Sequence, residues 1–460
     1  MINTLLLPEL RELLENPDDP DLLEALTEMH PANLAEFSEG LSAEETWKLL
    51  ELLPVQRRAE VFAFYPHHKQ VELASGAGRE RLSQLLEAMS HDDRVDLLKR
   101  LDEELVESLL PLVAKADRED IRRLMRYPEH TAGAVMTTDY ATLPPDITVL
   151  DALALLRRQA PSTETIYYVY VVDDQRRLIG FVSLRDLVLA RPNALVRDIM
   201  QEEVISVRVE QDQEEVARIL SKYDFLAIPV VDAENRLVGI VTYDDVMDVL
   251  TEEATEDAQK FGAVTPIEDN YLEAAFVTVW RKRAMWLSAL FVAELFTFTA
   301  LARYEHAIES VLALSLFIPL CISTGGNSGS QAATLITRAL ALGQIRLTEW
   351  LRVLRHELLM GVALGATLGL IGFVRAYLTP ESVLGGADKL LLALVIAQSV
   401  AAICLWGTLV GSMLPLLFKA LGFDPGYASS PFVATFVDVT GIVIYFNIAY
   451  LYLPQLHALQ

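Results

Sequence analysis

Apolar and polar residues alternate in two different ways along the 460-residue chain. In residues 1–130, apolar residues recur every three or four positions within short runs. This spacing is typical of amphipathic helices, and helices that follow one another so closely predict a superhelical block. Beyond residue 283 polar positions become rare. Five apolar stretches there are long enough to cross a hydrocarbon core, which takes about 20 residues: they lie at 284–302, 310–337, 356–378, 390–418 and 430–453.

Between these regions the sequence contains an internal repeat. VVDDQRRLIGFVS at Val171–Ser183 matches VVDAENRLVGIVT at Val230–Thr242. Each copy predicts a strand, a turn, a second strand and the start of a helix. Each also follows an apolar-periodic helix, at 149–159 and at 212–222. Strands and helices that alternate in this way favour two α/β domains in tandem.

The predicted fold is therefore multidomain. It combines an all-α superhelical N domain, tandem α/β domains and an all-α transmembrane domain of five helices. The predicted boundaries are 1–130 for the helical regulatory domain, 131–196 and 197–257 for the two α/β domains, 258–281 for a linking helix and 282–460 for the transmembrane pore domain.

Basic residues flank the apolar stretches unevenly. Eight lie on one side of the membrane domain and three on the other, and short loops rich in Lys and Arg stay in the cytosol. The eight are Arg281, Lys282, Arg283, Arg338, Arg346, Arg352, Arg355 and Lys419. We therefore expect a multi-pass protein of the cell (inner) membrane, with the soluble domains in the cytoplasm and the C-terminus outside. The N-terminal MINTLLLPEL lacks a basic flank and a cleavage site, so it is not expected to be a signal peptide.

Negative charge is concentrated in the first part of the chain. Residues 1–260 hold 52 of the 64 acidic residues but 27 of the 38 basic ones, so almost the whole net charge of −26 lies there. This balance excludes a nucleic-acid partner, because phosphate binding needs clustered Lys and Arg. It fits a cation as the partner, although an acidic surface also serves solubility.

Motifs of several common enzyme classes are absent from the sequence. The two cysteines, Cys321 and Cys404, both lie in apolar stretches, so neither a disulfide framework nor a Cys-based zinc site can be built. The sequence contains no GxGxxG, GxxxxGK[ST], HExxH or GxSxG pattern. We therefore expect a protein that is not an enzyme.

The second apolar stretch contains an unusual polar motif. The segment Gly325–Gln331 (GGNSGSQ) places Asn327 and three further polar side chains within the membrane. Together with Pro319, its glycines predict a helix that is loosened or broken, with freed carbonyls that must be buried in protein or face water. The alternative is that these small residues let neighbouring helices pack closely.

Asp438 is an isolated carboxylate in the fifth apolar stretch, with no basic residue at a similar depth in any stretch. A buried carboxylate without a partner must be protonated, hydrated or bound to a cation. Thr435 and Ala434 share its helix face, so we interpret these residues and Asn327 as lining a path for hydrated Mg²⁺, which one or two carboxylates often hold through water. Glu294, in the first stretch, is either a pore residue or a protonated packing residue.

Two acidic clusters stand out in the soluble part. Like charges three and four residues apart on one helix face repel each other, which favours a divalent ion between facing elements. The alternative for each cluster is a solvated helix face with an N-cap. The first cluster is Asp92, Asp93 and Asp96; the second runs through Asp244, Asp245, Asp248, Glu252, Glu253, Glu256 and Asp257.

The internal repeat resembles a tandem of cystathionine-β-synthase-type (CBS) domains. Such pairs usually sense ligands, often adenosine nucleotides, and often dimerise. The resemblance implies a cleft for a nucleotide such as ATP, formed by Tyr168, Arg185 and Asp186, in which Arg185 meets phosphate and Asp186 a ribose hydroxyl. The alternative is that Arg185 forms a surface salt bridge and Asp186 caps a helix.

Taken as a whole, the chain resembles the MgtE family of magnesium channels. The most specific matches are GGNSGSQ, the P-x-x-A-T-x-x-D pattern of Pro431–Asp438, and EATED at Glu253–Asp257. The resemblance implies a homodimer with Asp438 in a pore on its two-fold axis, and a plug helix at 258–281. It also implies regulatory Mg²⁺ sites at Asp92, Asp96, Asp224, Asp245, Asp248, Glu253, Glu256 and Asp257.

The function that follows from this interpretation is magnesium uptake controlled by negative feedback. Mg²⁺ would bridge the acidic domains when its cytosolic concentration is high and thereby close the pore. The main alternative is a proton- or sodium-coupled carrier for Mg²⁺, Co²⁺ or Mn²⁺, in which Glu294 and Asp438 relay protons. A membrane-anchored nucleotide sensor without transport is a further alternative, but it would need neither Asp438 nor the polar second stretch.

Overall fold

The computed structural model describes residues 7–15, 26–267, 271–272, 274–381, 388–453 and 456. The chain divides into two compact units, Met1–Glu253 and Ala254–Gln460. Residues 16–25, where one of the predicted N-domain helices begins, and the last four residues lie outside the described part.

The first unit begins with a series of short helices. Ser42 forms a capping box at one of them: Ser42 Oγ accepts a hydrogen bond from Glu45 N, and Glu45 Oε2 accepts one from Ser42 N. Apolar side chains such as Leu49 and Phe62 form their core, which continues into the second sheet of this unit. The helices are α1 Leu7–Glu15, α2 Pro31–Ser38, α3 Ala43–Glu51, α4 Val55–Ala63, α5 His67–Gly76, α6 Arg79–Ala88, α7 His91–Arg100, α8 Glu103–Leu109 and α9 Lys115–Leu124.

Two small three-stranded sheets follow, and their topologies are the same. In each, the first strand pairs parallel with the second and the second pairs antiparallel with the third, so the predicted repeat is confirmed. The strands are β1 Tyr140–Leu143, β2 Thr165–Val172, β3 Leu178–Ser183, β4 Val207–Arg208, β5 Ala227–Val231 and β6 Leu237–Thr242. The helices are α10 Ala132–Val135, α11 Val149–Gln159, α12 Leu184–Leu189, α13 Val196–Ile199 and α14 Gln213–Tyr223.

Each half of the repeat is joined to the other by its leading segment. Thr137, which precedes the first sheet, exchanges two backbone hydrogen bonds with Ile240 in β6. Gln201, which precedes the second sheet, does the same with Phe181 in β3. The two halves therefore exchange equivalent strand contacts, which ties them into a pair.

The predicted linking helix at 258–281 is wrong as a continuous helix. Helix α15, Tyr243–Phe261, ends in a Schellman arrangement, in which Val264 N donates to Gln259 O and Ala263 adopts a left-handed conformation with φ 55°. Pro266 follows and has no N–H group to donate. The next helix begins at Phe276, and residues 268–270 and 273 of this segment lie outside the described part.

Among its described residues, the second unit holds five helices long and apolar enough to cross a membrane, as predicted. Their boundaries differ from the predicted stretches by at most eight residues, at the start of the first helix, where polar residues still take part in the helix. The five are α16 Phe276–Arg303, α18 Leu312–Ala341, α19 Trp350–Tyr377, α20 Lys389–Ala420 and α21 Ser430–Tyr452, with the short helix α17 Glu305–Ser310 between the first two. The predicted multidomain fold class is thereby confirmed.

The prediction that the GGNSGSQ motif loosens or breaks the second span is wrong. Helix α18 runs without interruption past Pro319 and the glycines. The glycines serve close packing instead: a Cβ atom added to Gly407 would lie 2.2 Å from Gly325 O, and one added to Gly411 would lie 2.0 Å from Gly329 O. Backbone atoms of α18 and α20 thus approach where side chains larger than hydrogen do not fit.

Candidate ion pathway and regulatory sites

A cavity of about 490 Å³ lies among the first, second and fifth spans. Apolar residues such as Ile322 and Ala434 form part of its wall. Seven polar side chains also line it, namely Glu294, Thr297, Ser323, Asn327, Ser330, Ser430 and Asp438. Polar groups at membrane depth face a cavity of this kind because lipid cannot hydrate them.

Asp438 reaches this cavity because its neighbours are small. Ala434 lies one helical turn before it, and Gly326 of the second span packs opposite: an added Cβ on Gly326 would lie 3.4 Å from Ala434 Cβ and 3.8 Å from Asp438 Oδ1. Within the described residues, no Lys, Arg or His forms an ion pair with Asp438. The carboxylate is therefore available to water or a cation in the cavity.

The structure brings together three of the four predicted pore residues. Asn327, Ala434 and Asp438 line the same cavity, whereas Thr435 lies outside its lining. Asn327 Nδ2 donates a hydrogen bond to Ser323 Oγ, which belongs to the same lining, over 3.4 Å. Glu294, whose role the sequence leaves open, is also part of this lining.

Carboxylates from two elements meet in the first unit, at a site that we name the acidic junction: Asp92 and Asp93 in α7 with Asp244 and Asp245 in α15. Thr242 Oγ1 donates to Asp245 Oδ2 over 2.5 Å. Burial and repulsion by Asp92 raise the pKa of Asp245 to about 8 and that of Asp93 to about 6. A cation at this junction would relieve the repulsion.

One oxygen atom of the acidic junction is particularly suited to act as a metal ligand. Asp92 Oδ1 is buried and has no hydrogen-bond partner among the described residues, although burial raises the pKa of this carboxyl group. In the described part of the chain, no three His, Cys, Asp or Glu side chains form a metal-holding group.

The other predicted regulatory residues occupy different surroundings. Asp96 is half-buried one turn after Asp92, and burial raises its pKa. Asp248 is exposed, and Asp224 is an exposed C-cap of α14 with φ 54°. Glu253 accepts a hydrogen bond from Gln213 Nε2 over 2.7 Å and lies 3.8 Å from His130 Nδ1.

A lysine joins the end of α15 to the loop before the fifth span. Lys260 Nζ donates to Glu256 Oε1 over 2.5 Å and to Asp424 Oδ2 over 2.6 Å. Burial alone would lower the pKa of Lys260, but these two hydrogen bonds raise it above its ordinary value. Asp424 Oδ1 also accepts from Gly426 N. Asp257, the last predicted regulatory residue, is half-buried beside Glu256.

Sequence reasoning did not identify Lys260 and Asp424. The first could have been suspected, since Glu256 and Lys260 are four residues apart on one helix and can form an ion pair. Asp424 offered no such signal, because Asp-Pro-Gly-Tyr after an apolar stretch is an ordinary turn sequence. Its partner is distant in the chain, so only the folded structure reveals the contact.

The predicted nucleotide-binding residues lie in the first half of the repeat. Tyr168 packs edge to face against Phe181 and Phe225, with ring centroids 5.8 Å and 6.3 Å away. Asp186 Oδ2 accepts from Ser183 Oγ over 2.6 Å while Asp186 N donates to the same hydroxyl, which is a helix cap. Arg185 is exposed beside it. Asp186 thus has a structural role, and its carboxylate can still accept a second hydrogen bond.

Known protein families match most of the chain. A model of MgtE, described as a divalent cation transporter, matches residues 318–448, and one of the MgtE intracellular N domain matches residues 29–130. A CBS-domain model matches residues 132–193 and 196–252.

Individual relatives cover nearly the full length. The chain is 42% identical to a magnesium transporter MgtE of Thermus thermophilus, over 96% of this chain and 98% of the relative. It is 32% identical to one of Bacillus subtilis, over 95% of both chains.

Solved structures match the first unit. A crystal structure of the cytosolic domain of the Mg²⁺ channel MgtE in complex with ATP is 43% identical, with a TM-score of 0.50, and covers 52% of this chain and 98% of that one. A crystal structure of the soluble part of a magnesium transporter is 36% identical, with a TM-score of 0.52, and covers 54% of this chain and 97% of that one. The family predicted from the sequence is thus confirmed: the chain belongs to the MgtE family, whose members are transporters and not enzymes.

Proposed function

We propose that this chain is a Mg²⁺-selective channel for magnesium uptake, closed by cytosolic Mg²⁺ through negative feedback. The observation that carries the proposal is the cavity among three membrane helices, in which Asp438 has no cationic partner among the described residues. The names of the full-length relatives, which are magnesium transporters, support the choice of ion.

The size and chemistry of the cavity support a hydrated ion. Mg²⁺ prefers six oxygen ligands and dehydrates reluctantly. Six waters occupy about 180 Å³ at roughly 30 Å³ each, which is well within the 490 Å³ of the cavity. Asp438 supplies the charge, and the Asn327 amide and the serine hydroxyls supply hydrogen bonds to the water shell.

The acidic junction supports the feedback part of the proposal. Mg²⁺ that binds Asp92 and Asp245 would favour the arrangement in which α7 and α15 lie together, and a ligand that binds one state better shifts the population toward it. Helix α15 carries Asp245 in its first turn and Lys260 in its last. Lys260 in turn contacts Asp424 in the loop that leads into the helix of Asp438, which offers a route from sensor to pore.

We also propose that the chain forms a homodimer, binds a nucleotide and has its N-terminus in the cytoplasm. Two copies of Asp438 on a two-fold axis would provide two carboxylates for one hydrated ion, so a homodimer is proposed. A relative's cytosolic domain binds ATP, and Tyr168, Arg185 and Asp186 are proposed to do so here. The excess of basic residues on one side of the spans supports a cytoplasmic N-terminus.

The proposal is tested by Mg²⁺ current in excised membrane patches while cytosolic Mg²⁺ is stepped from micromolar to millimolar. Wild-type current should fall as Mg²⁺ rises. Asp245→Asn should need at least about fivefold more Mg²⁺ for closure, which corresponds to a modest coupling energy. Asp174→Asn, an exposed substitution of the same chemistry on a hairpin turn, should behave as wild type. Current that requires a proton or sodium gradient would favour the coupled carrier instead.

The acidic junction also predicts a pH-dependent stability. Folding raises the pKa of Asp245 to about 8 and that of Asp93 to about 6, so the folded state binds protons more tightly than the unfolded state. Local stability should therefore fall as pH rises through this range. In the full-length protein without divalent ions, amide hydrogens of α7 and of the first turns of α15 should be about tenfold less protected at pH 8.5 than at pH 6, after correction for intrinsic exchange.

Two further samples test the cause of this pH dependence. Millimolar Mg²⁺ should restore protection at pH 8.5, because the cation replaces the protons. Asp245→Asn should remove most of the pH dependence, whereas Asp174→Asn should not. Equal protection of wild type at both pH values would contradict the expected repulsion between Asp92 and Asp245.

A further inference from the structure

The first span carries a second carboxylate at the cavity. Glu294 lies near the middle of α16, is half-buried, and lines the same cavity as Asp438. Among the residues that the structure describes, no basic side chain forms an ion pair with it. The carboxylates of Glu294 and Asp438 therefore face one shared space from two different helices.

A second polar residue of α16 lies at this space. Thr297, three residues after Glu294 and hence on the same helix face, also lines the cavity. The flanking side chains of Phe291, Leu295 and Phe298 are exposed on the outer surface of the helix. A carboxylate at membrane depth is costly unless it faces water, a partner or an ion, so the orientation of Glu294 toward the cavity is the one that hydrates it.

A second observation points to an occupant of the cavity. Thr297 Oγ1 is a buried hydroxyl oxygen with no hydrogen-bond partner among the described residues. Buried polar groups in native proteins are almost always satisfied by protein or ordered water. A water or a hydrated ion at the cavity would satisfy this hydroxyl group.

We propose that Glu294 is a second carboxylate of the ion path, and that it holds a hydrated divalent cation together with Asp438 through the water shell of the ion. The inference rests on the proposed function, since it assigns a further residue to the same path. Two carboxylates attract a divalent ion more strongly than a monovalent one, so Glu294 contributes selectivity for charge.

The test is the permeability of Mg²⁺ relative to K⁺, measured from reversal potentials in patches that contain the full-length protein. Glu294→Gln should lower this ratio by about tenfold, because half of the proposed pore carboxylates lose their negative charge. Glu294→Asp retains the charge and should keep the ratio within about twofold of wild type. Glu381→Gln, an exposed substitution of the same kind after the third span, should leave the ratio unchanged.

The outcomes separate this inference from the function on which it rests. Wild-type Mg²⁺ current with an unchanged ratio in Glu294→Gln would overturn the role of Glu294 and leave the channel intact. A wild type that carries no Mg²⁺ current at all would overturn both. Misfolding does not explain a loss of selectivity here, because a neutral glutamine is easier to place in a membrane than a carboxylate and because conduction of K⁺ itself reports a folded pore.

Discussion

Replacing Asp438 with asparagine is expected to reduce Mg²⁺ current by at least about 100-fold, because the cavity then loses the carboxylate that compensates the partial desolvation of a divalent ion. Asparagine has nearly the shape of aspartate, so the packing against Gly326 and Ala434 is preserved. Alanine at this position should abolish the current as well. The measurement is Mg²⁺ current in excised patches at micromolar cytosolic Mg²⁺, the condition in which the proposed feedback leaves the pore open.

A matched substitution in the same domain controls for nonspecific effects. Asp388 caps the fourth span by accepting hydrogen bonds from Leu390 N and Leu391 N, and asparagine caps helices about as well as aspartate. Asp388→Asn should therefore conduct like wild type. Mg²⁺ current of wild-type size in Asp438→Asn would remove Asp438 from the ion path and favour a different route through the membrane domain.

Adding a single methyl group at Gly411 is expected to destabilise the membrane domain by about 3 kcal/mol, the upper end of the usual cost of overpacking. The new Cβ would lie 2.0 Å from Gly329 O, and this obstacle is helix backbone, which cannot rotate away as a side chain can. Helices α18 and α20 would have to move apart over their whole contact. The measurement is the thermal unfolding of purified Gly411→Ala in detergent.

Gly372→Ala provides the control on the neighbouring pair of spans. A Cβ at Gly372 meets only side-chain carbons of Ile396 and Val400, both at 3.5 Å, which is ordinary van der Waals contact. This variant should unfold at nearly the wild-type temperature. If Gly411→Ala were equally stable, the two helices would not be held by close backbone packing.

Hydrophobic patterning was sufficient to predict most of the architecture. Five long apolar stretches became the five membrane helices, and the repeat became two sheets of identical topology. The predictions were wrong where the role of a residue depends on a contact with residues far away in the sequence. The glycines around Asn327 appeared to weaken their helix, but their partners Gly407 and Gly411 lie on another span.

The end of α15 was missed for a different reason. Gly262 directly follows Phe261 in the sequence, and the helix stops there in a Schellman arrangement with Ala263 in the left-handed conformation. An alanine in the left-handed conformation is uncommon, since its Cβ is crowded there. Gly262 and Pro266 are nevertheless a local stop signal, which the predicted helix at 258–281 did not take into account.

The candidate site could be predicted from the sequence only where a single residue was of an unusual type for an apolar helix. Asp438 was identifiable because a carboxylate in an apolar helix needs an explanation. Glu294 carried the same signal, but its direction depends on which helices pack beside it, and that information is absent from local sequence. The contact of Lys260 with Asp424 joins residues 164 positions apart in the sequence, so it could be found only in the folded structure.

The first span, all of whose residues are described, has none that is buried within the chain. The ribosome delivers this helix to the insertion machinery before the other four exist, so it must enter the bilayer as a single helix. Glu294 then enters without the cavity that later hydrates it, and an acidic residue at the centre of a lone helix opposes insertion by about 3 kcal/mol. The aromatic and aliphatic residues on its outer surface therefore serve biogenesis, since they offset an acidic residue whose binding partners are synthesised later.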